Sequence, residues 1–265
     1  MSNTERTAWL ATCEAAARAG GRELNDWRGR FTTREKGITD LVTDADLASQ
    51  AAIQRVIAER YPEHGFIGEE VTEVAYPQGD QLTWVVDPLD GTTNYVHGYP
   101  HYAVSVALTR GRDLQVGVVY DPVTDLCFSA AAGEGARCNG EPLRTASVEK
   151  LSDALVAVSL PAHVSQISPD LADFVTSAQR CQAVRRSGSA ALNLAFVAQG
   201  WLDAFWAHQI HPWDVAAGVL LIREAGGLVT GLDGGEFDLW NPHFLSAATP
   251  RLHTALRDVL TPVSG

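Results

Sequence analysis

Trp84-Val85-Val86-Asp87-Pro88-Leu89-Asp90-Gly91-Thr92-Thr93-Asn94 runs an apolar segment into two carboxylates, three residues apart, on a turn built from Asp-Pro and Asp-Gly. A hard divalent cation such as Mg²⁺ takes oxygen ligands from side chains and backbone carbonyls gathered at such a bend. The hydroxyls of Thr92 and Thr93 follow at once, where either would orient a water beside the carboxylates. Asp-Pro and Asp-Gly are also ordinary turn dipeptides, and Asp90 alone reads as well as an acid that closes a turn. Together, the parts point to metal-assisted hydrolysis of a phosphate ester.

Around this stretch lie 265 residues, 46% hydrophobic, enough for one large domain or two closely packed halves. No Pro-rich or low-complexity linker divides them. Near-apolar Ala190 to Ala207 is interrupted by Asn193, Gln199 and Asp203, which suits a buried helix followed by a strand rather than a membrane span. Glu5, Arg6, Glu14 and Arg18 break the apolar run a secretory signal needs, so a cytoplasmic location is expected. The four cysteines, Cys13, Cys127, Cys138 and Cys181, have no zinc-site spacing and read as free, mostly buried thiols. A net charge of −12 makes nucleic acid an unlikely partner. A small phosphate ester suits an acidic protein only when cations bridge the two, a second pointer to metal.

Apolar spacing predicts an opening helix from Thr7 to about Trp27, then a polar loop with Arg28, Arg30, Arg34 and Lys36. Lys36 either reaches toward phosphate or is solvated. A second helix is expected after Thr43 as N-cap, with Leu47, Ile53, Val56 and Ile57 facing inward, to near Pro62. Phe66 to Glu70 reads as a short strand that delivers two carboxylates at its end. Tyr102 to Leu108, Leu114 to Tyr120 and Asp125 to Ala130 read as a meander. Beyond Pro142 strands and helices alternate: strands near 154–159, 182–185 and 201–206, with helices from Pro169, after Ser189, from Pro212 to Ala225, and from Pro250. A layered α+β fold follows, with an antiparallel half over 1–145 and a more α/β half over 146–265 of a single domain.

His211-Pro212-Trp213-Asp214 places one more carboxylate in the first turn of a helix, where the backbone dipole favours its charge. With Trp84 to Asn94, Gly68-Glu69-Glu70 and Trp213 to Gly227, about 120 residues after the first signature, the chain resembles the inositol monophosphatase family over nearly its whole length. That resemblance implies a layered α/β/α/β/α sandwich, a homodimer, lithium sensitivity, and two or three Mg²⁺ per active site. Metal ligands carry over as Glu69, Asp87, the carbonyl of Leu89, Asp90 and Asp214. Glu70 is taken as a neighbour, because adjacent strand residues point to opposite faces. Asp46 and Thr92, with Glu69, match the groups that activate the attacking water, although Asp46 also reads as an ordinary first-turn acid. Asp44, two residues away on the helix, then points elsewhere.

Gly91, Thr92 and Thr93 offer backbone donors to phosphate at a tight turn, Gly188, Ser189 and Ala190 match the family segment that lines the alcohol pocket, and Asp214 is counted with the substrate-binding residues. Ser189 reads equally as a helix cap. The chain departs from the inositol pattern at Ala207, where a Glu usually bonds sugar hydroxyls; His208 or His211 is left to compensate. His211 is expected to pack at the helix start rather than bind metal, since hard ions prefer oxygen. Trp201, Trp206 and Trp213 are assigned to core or dimer interface. The expected activity is release of phosphate from inositol 1-phosphate or a similar small phosphorylated polyol or sugar. Histidinol phosphatase and fructose bisphosphatase are the alternatives, with phosphoadenosine phosphatase ranked last. A binding protein of a transcription or RNA complex is the alternative of another class.

Overall fold

A computed structural model describes residues 3–37, 40–71, 76–161, 164 and 168–260 of the chain. Its central feature is a seven-stranded sheet, order β3-β4-β5-β6-β7-β8-β9, between Gly65 and Pro142. Helix α1 (Asn3–Trp27) comes first, then a hairpin of β1 (Thr33–Gly37) and β2 (Asp40–Thr43), helix α2 (Asp44–Ala58), β3 (Gly65–Gly68), β4 (Leu82–Asp90) and the one-turn helix α3 (Thr92–Val96). The meander continues through β5 (Ala103–Arg110), β6 (Asp113–Asp121), β7 (Leu126–Ala131), β8 (Ala136–Cys138) and β9 (Glu141–Pro142), all antiparallel, while within this sheet β3 and β4 pair in parallel.

A second sheet of five strands, order β11-β10-β12-β14-β13, follows from β10 (Leu155–Ser159), β11 (Ala183–Arg185), β12 (Ala204–Ala207), β13 (Leu228–Gly231) and β14 (Phe244–Ala247). Helices α4 (Pro169–Arg180), α5 (Ala190–Gln199), α6 (Pro212–Glu224) and α7 (Pro250–Arg257) alternate with these strands. Three apolar clusters show the layering. Trp9, Cys13 and Ile53 of α1 and α2 pack on Trp84, Val86 and Val106 of the large sheet. Leu192, Leu194, Val215 and Leu221 of α5 and α6 fill the space between the two sheets with Val85, Val119 and Phe205. Leu252 and Leu256 of α7 cover the outer face of the second sheet at Trp206 and Leu245. The order is α/β/α/β/α, as expected. At the central layer α5 and α6 touch: a Cβ on Gly218 would stand 2.3 Å from that of Leu194, so only glycine permits the approach.

Several local expectations are corrected. The polar loop after α1 is the β1–β2 hairpin, with Thr33 opposite Thr43; the side chain of Lys36 lies outside the described residues. Leu47, expected inward, is 42% exposed. The buried stripe of α2 is instead Asp46, Ser49, Gln50, Ile53 and Ile57, so polar residues set its phase at one end. Ser49 Oγ donates to the Pro88 carbonyl (2.8 Å) and Gln50 Oε1 accepts from Glu70 N (3.2 Å), which explains their burial. The strand expected at 201–206 begins at Ala204, and Trp201 is exposed while Trp206 and Trp213 are buried. β13 and β14 had no expected counterpart. The four cysteines are free; three are buried and Cys138 is half-buried. Among the described residues no helix is long and apolar enough to cross a membrane.

Candidate functional site

Residues three apart on a regular strand point to opposite faces. Asp87 and Asp90 share a side because β4 is irregular between them: Asp87 lies opposite Ser105 and Asp90 opposite Ala103, three steps on one strand against two on the next. Pro88, with no N–H to donate, sits inside that irregularity. Asp87 Oδ1 accepts from Leu89 N at 2.9 Å, and the chain then turns through Gly91, φ 100°, into α3. A side chain at Gly91 would stand 3.1 Å from the His101 carbonyl in a left-handed backbone.

Two helix N-termini bring the remaining parts. Ser189 caps α5, accepting from Leu192 N at 3.3 Å, and its hydroxyl makes a short bond to Asp90 Oδ2, which also accepts from Ala191 N at 2.7 Å. Asp214, in the first turn of α6, forms a capping box with His211, whose N–H it accepts at 2.9 Å. Ser105 Oγ of β5 donates to the Trp213 carbonyl at 3.0 Å and ties α6 to the large sheet. Oxygens of Asp87, Asp90 and Asp214 thereby lie within 4.8 Å of one another.

Such proximity is costly without a counter-charge. Burial, then the charges of Glu69, Asp90 and Asp214, push Asp87 well above the usual carboxylate range. Burial and Asp214 raise Asp90 to about 7 against the bonds from Ser189 and Ala191. Burial raises Asp214 to about 6, opposed by its bonds to His211 N and Asp87. The side-chain bond between Asp87 and Asp214 pushes Asp87 further up and Asp214 down. Three oxygen donors with no His or Cys among them fit a hard divalent cation.

Glu69 lines the same cavity and acts on Asp87, but is not among the three carboxylates within 4.8 Å. Asp46 is fully buried; its Oδ2 accepts from Thr43 N (2.8 Å) and Thr43 Oγ1 (2.6 Å), which fixes the carboxylate at the start of α2. Thr92 Oγ1 reaches both Asp46 Oδ1 (3.3 Å) and the Leu89 carbonyl (3.1 Å). Asp44 points away, to Thr32 N and Arg34. Leu89, Gly91, Thr92, Gly188, Ser189 and Ala190 line the cavity, about 680 Å³ in volume. Thr93 is exposed and not part of that lining, because the turn of α3 carries its side chain outward. Ala207 is buried in the core beside Phe205 and lines no part of the cavity, whereas His208 and His211 do. His211 stacks on Trp213 at 4.7 Å.

Two contributors escaped the sequence reading. Asn94 bridges the His101 carbonyl (2.7 Å) and the Ser187 carbonyl (2.9 Å), locking the metal-binding turn to the segment before α5. Its place in the quoted stretch was the available signal. The second is Asp173, 35 residues from His208: the sequence singles out His208 but gives no sign of this partner.

The family model for the inositol monophosphatase family matches residues 5–262. Inositol monophosphatase 2 of Solanum lycopersicum is 42% identical over 85% of this chain and 88% of its own. Nus factor SuhB of Pasteurella multocida (strain Pm70) is 39% identical over 94% of this chain and 93% of its own. Among solved structures, inositol monophosphatase from Anabaena (Nostoc) sp. PCC 7120 superimposes with a TM-score of 0.85 and 36% identity, covering 97% of this chain and 98% of that one.

Proposed function

Because the chain belongs to the inositol monophosphatase family, we propose that it is a Mg²⁺-dependent phosphatase that releases phosphate from a small polyol or sugar phosphate, with inositol 1-phosphate as the leading substrate. The observation that carries this reading is the meeting of Asp87, Asp90 and Asp214 at the floor of the cavity. These three carboxylates, with Glu69 and the Leu89 carbonyl at the same cavity, are the groups that would hold Mg²⁺. When bound, the metal supplies positive charge that neutralises the cluster, lowers the pKa of the attacking water and stabilises the departing alkoxide.

The chain's own residues handle the proton. Thr92 has one hydroxyl hydrogen; given to Asp46 Oδ1, it leaves the Thr92 oxygen free to accept from water. Asp46 is held for that task because its other oxygen is committed to Thr43. Phosphate oxygens meet the backbone around Gly91 and Thr92 and the N-terminal turn of α5 at Ser189 and Ala190. The Ser189 hydroxyl itself serves Asp90.

Phosphate release from a panel of inositol 1-phosphate, histidinol phosphate and fructose 1,6-bisphosphate, with and without Mg²⁺, tests the reading. No Mg²⁺-dependent release from any of them overturns it, and lithium inhibition belongs to the expected result. An Asp87→Asn protein separates catalysis from a partner role in a transcription complex, the second reading suggested by the name of the Pasteurella relative: survival of partner binding without turnover supports that role. A cytoplasmic location fits four free thiols. A homodimer fits the exposed rings of Trp201 and Tyr99, linked through Phe196 and His101 at centroid distances of 5.1, 5.8 and 6.1 Å; sedimentation showing a monomer rejects it.

A further inference from the structure

One wall of the cavity holds a pair that phosphate chemistry does not use. His208 follows directly on β12, and its Nε2 lies 2.6 Å from Asp173 Oδ2 in the middle of α4, with side chains 5% and 1% exposed. The two faces of β12 explain the geometry. Trp206 and His208 turn toward α4, where Trp206 Nε1 also donates to Ser177 Oγ at 3.1 Å, while Phe205 and Ala207 turn into the central core. The buried face of α4 is accordingly polar: Asp170, Asp173 and Ser177, at helical spacing. Burial of a carboxylate is costly unless a partner is supplied, and the partner here lines the cavity.

Asp173 sets the chemistry His208 offers. The carboxylate engages Nε2, so Nδ1 is the ring nitrogen left to meet a ligand in the cavity. Trp206, edge-on to the imidazole at 5.6 Å, limits its rotation. Ala207, a methyl side chain turned into the core, offers no acceptor of its own.

We propose that His208, oriented by Asp173, is the specificity residue that hydrogen-bonds a hydroxyl of the leaving alcohol. The inference rests on the phosphatase reading and narrows it to alcohols with a hydroxyl beyond the phosphorylated carbon, the polyols and sugars. His208 contacts substrate; Asp173 is a positioning residue.

His208→Gln is the discriminating variant. Its amide nitrogen sits near the position of Nε2 and keeps a bond to Asp173, whereas nothing replaces Nδ1. Initial rates with Mg²⁺ are compared on inositol 1-phosphate and on p-nitrophenyl phosphate, whose leaving group carries no hydroxyl donor. KM for inositol 1-phosphate is expected to rise about three- to tenfold, the size of one uncharged hydrogen bond, with kcat nearly unchanged and p-nitrophenyl phosphate unaffected. His208→Asn, whose side-chain oxygen stands close to the place of Nδ1, should recover part of the lost preference. An unchanged ratio between the two esters overturns the inference, as does a parallel loss on both. If the unmodified protein hydrolyses p-nitrophenyl phosphate but shows no preference for inositol 1-phosphate, the inference falls while the phosphatase reading stands. If it hydrolyses neither, that reading itself has failed, and protection of the unmodified protein by myo-inositol against thermal unfolding, lost in His208→Gln, still decides the role of His208.

Discussion

Asp87→Asn should make the metal-free protein more stable while it abolishes turnover. Two ionised carboxylates 4.8 Å apart, the outer limit of the cluster, repel by about 3.5 kcal/mol at an effective dielectric constant near 20. An Asn at position 87 removes one such charge. Its side-chain oxygen still accepts from Leu89 N, and its amide still donates to Asp214, as the protonated acid does. The substitution therefore imitates the form that the empty cluster prefers.

The pH dependence follows from the direction of the shifts. A carboxyl raised in the folded state contributes stability that is complete below its unfolded pKa and is lost as pH rises through the folded value. Asp90, raised from 3.8 to about 7, thus makes the metal-free protein progressively less stable from about pH 4 to about pH 7, by a few kcal/mol in total. Asp214, raised to about 6, acts in the same sense over a narrower window. Asp125, held low by its bonds from Tyr120 and Arg18, acts in the opposite sense and only at the acid end. Thermal unfolding between pH 5 and pH 8 in a chelating buffer, with and without added Mg²⁺, measures the effect. At roughly 2 to 4 °C per kcal/mol for a chain of this size, the unmodified protein should lose about 6 to 12 °C over that range and regain it with Mg²⁺. Asp87→Asn should melt several degrees higher than the unmodified protein at pH 8 without metal, and show a much smaller Mg²⁺ response. A flat metal-free profile, or a variant that melts lower under those conditions, refutes the argument that charge repulsion in an empty cluster governs this site.

The other expectations concern the groups beside the cluster. Asp46→Asn and Thr92→Val should each lower kcat by about 10²- to 10⁴-fold, the range of a lost acid–base partner, while the Mg²⁺-dependent rise in Tm persists; loss of that rise would place these residues in metal binding instead. Thr43→Ala removes the cap of α2 and one of two bonds to Asp46 Oδ2, so it should cost about 1 kcal/mol in chemical denaturation and lower kcat as well. A stability loss with full activity would show that Asp46 keeps its orientation without Thr43.

What the sequence makes legible here depends on distance along the chain. Asp87, Asp90 and the two residues between them are four residues of local chemistry, and the capping acids Asp46 and Asp214 carry the signature of a helix start. These parts were readable because their geometry is set by neighbours two to four residues away. The phase of α2 was not, since Ser49 and Gln50 are buried for bonds to the β4 irregularity and the end of β3, and Asp46 for its bonds with Thr43 and Thr92, not for their hydrophobicity. A reading that seeks apolar stripes turns that helix toward Leu47 and misplaces it. Ser189 shows the same limit at the site: its cap of α5 is local, but its bond to Asp90 crosses 99 residues and converts an expected ligand contact into support for a carboxylate. The strands β13 and β14 escaped notice because each is only four residues long, too short to show a period, and they take their places by pairing with each other and, for β14, with β12. Asp173 is the extreme case, for the sequence offers His208 as a stand-in beside Ala207 while nothing marks Asp173 as its partner. Each becomes chemically meaningful only when β12 lies beside α4, so selectivity for the alcohol is encoded in packing between layers, whereas the capacity to gather a divalent cation is encoded in short stretches that the layers merely bring together.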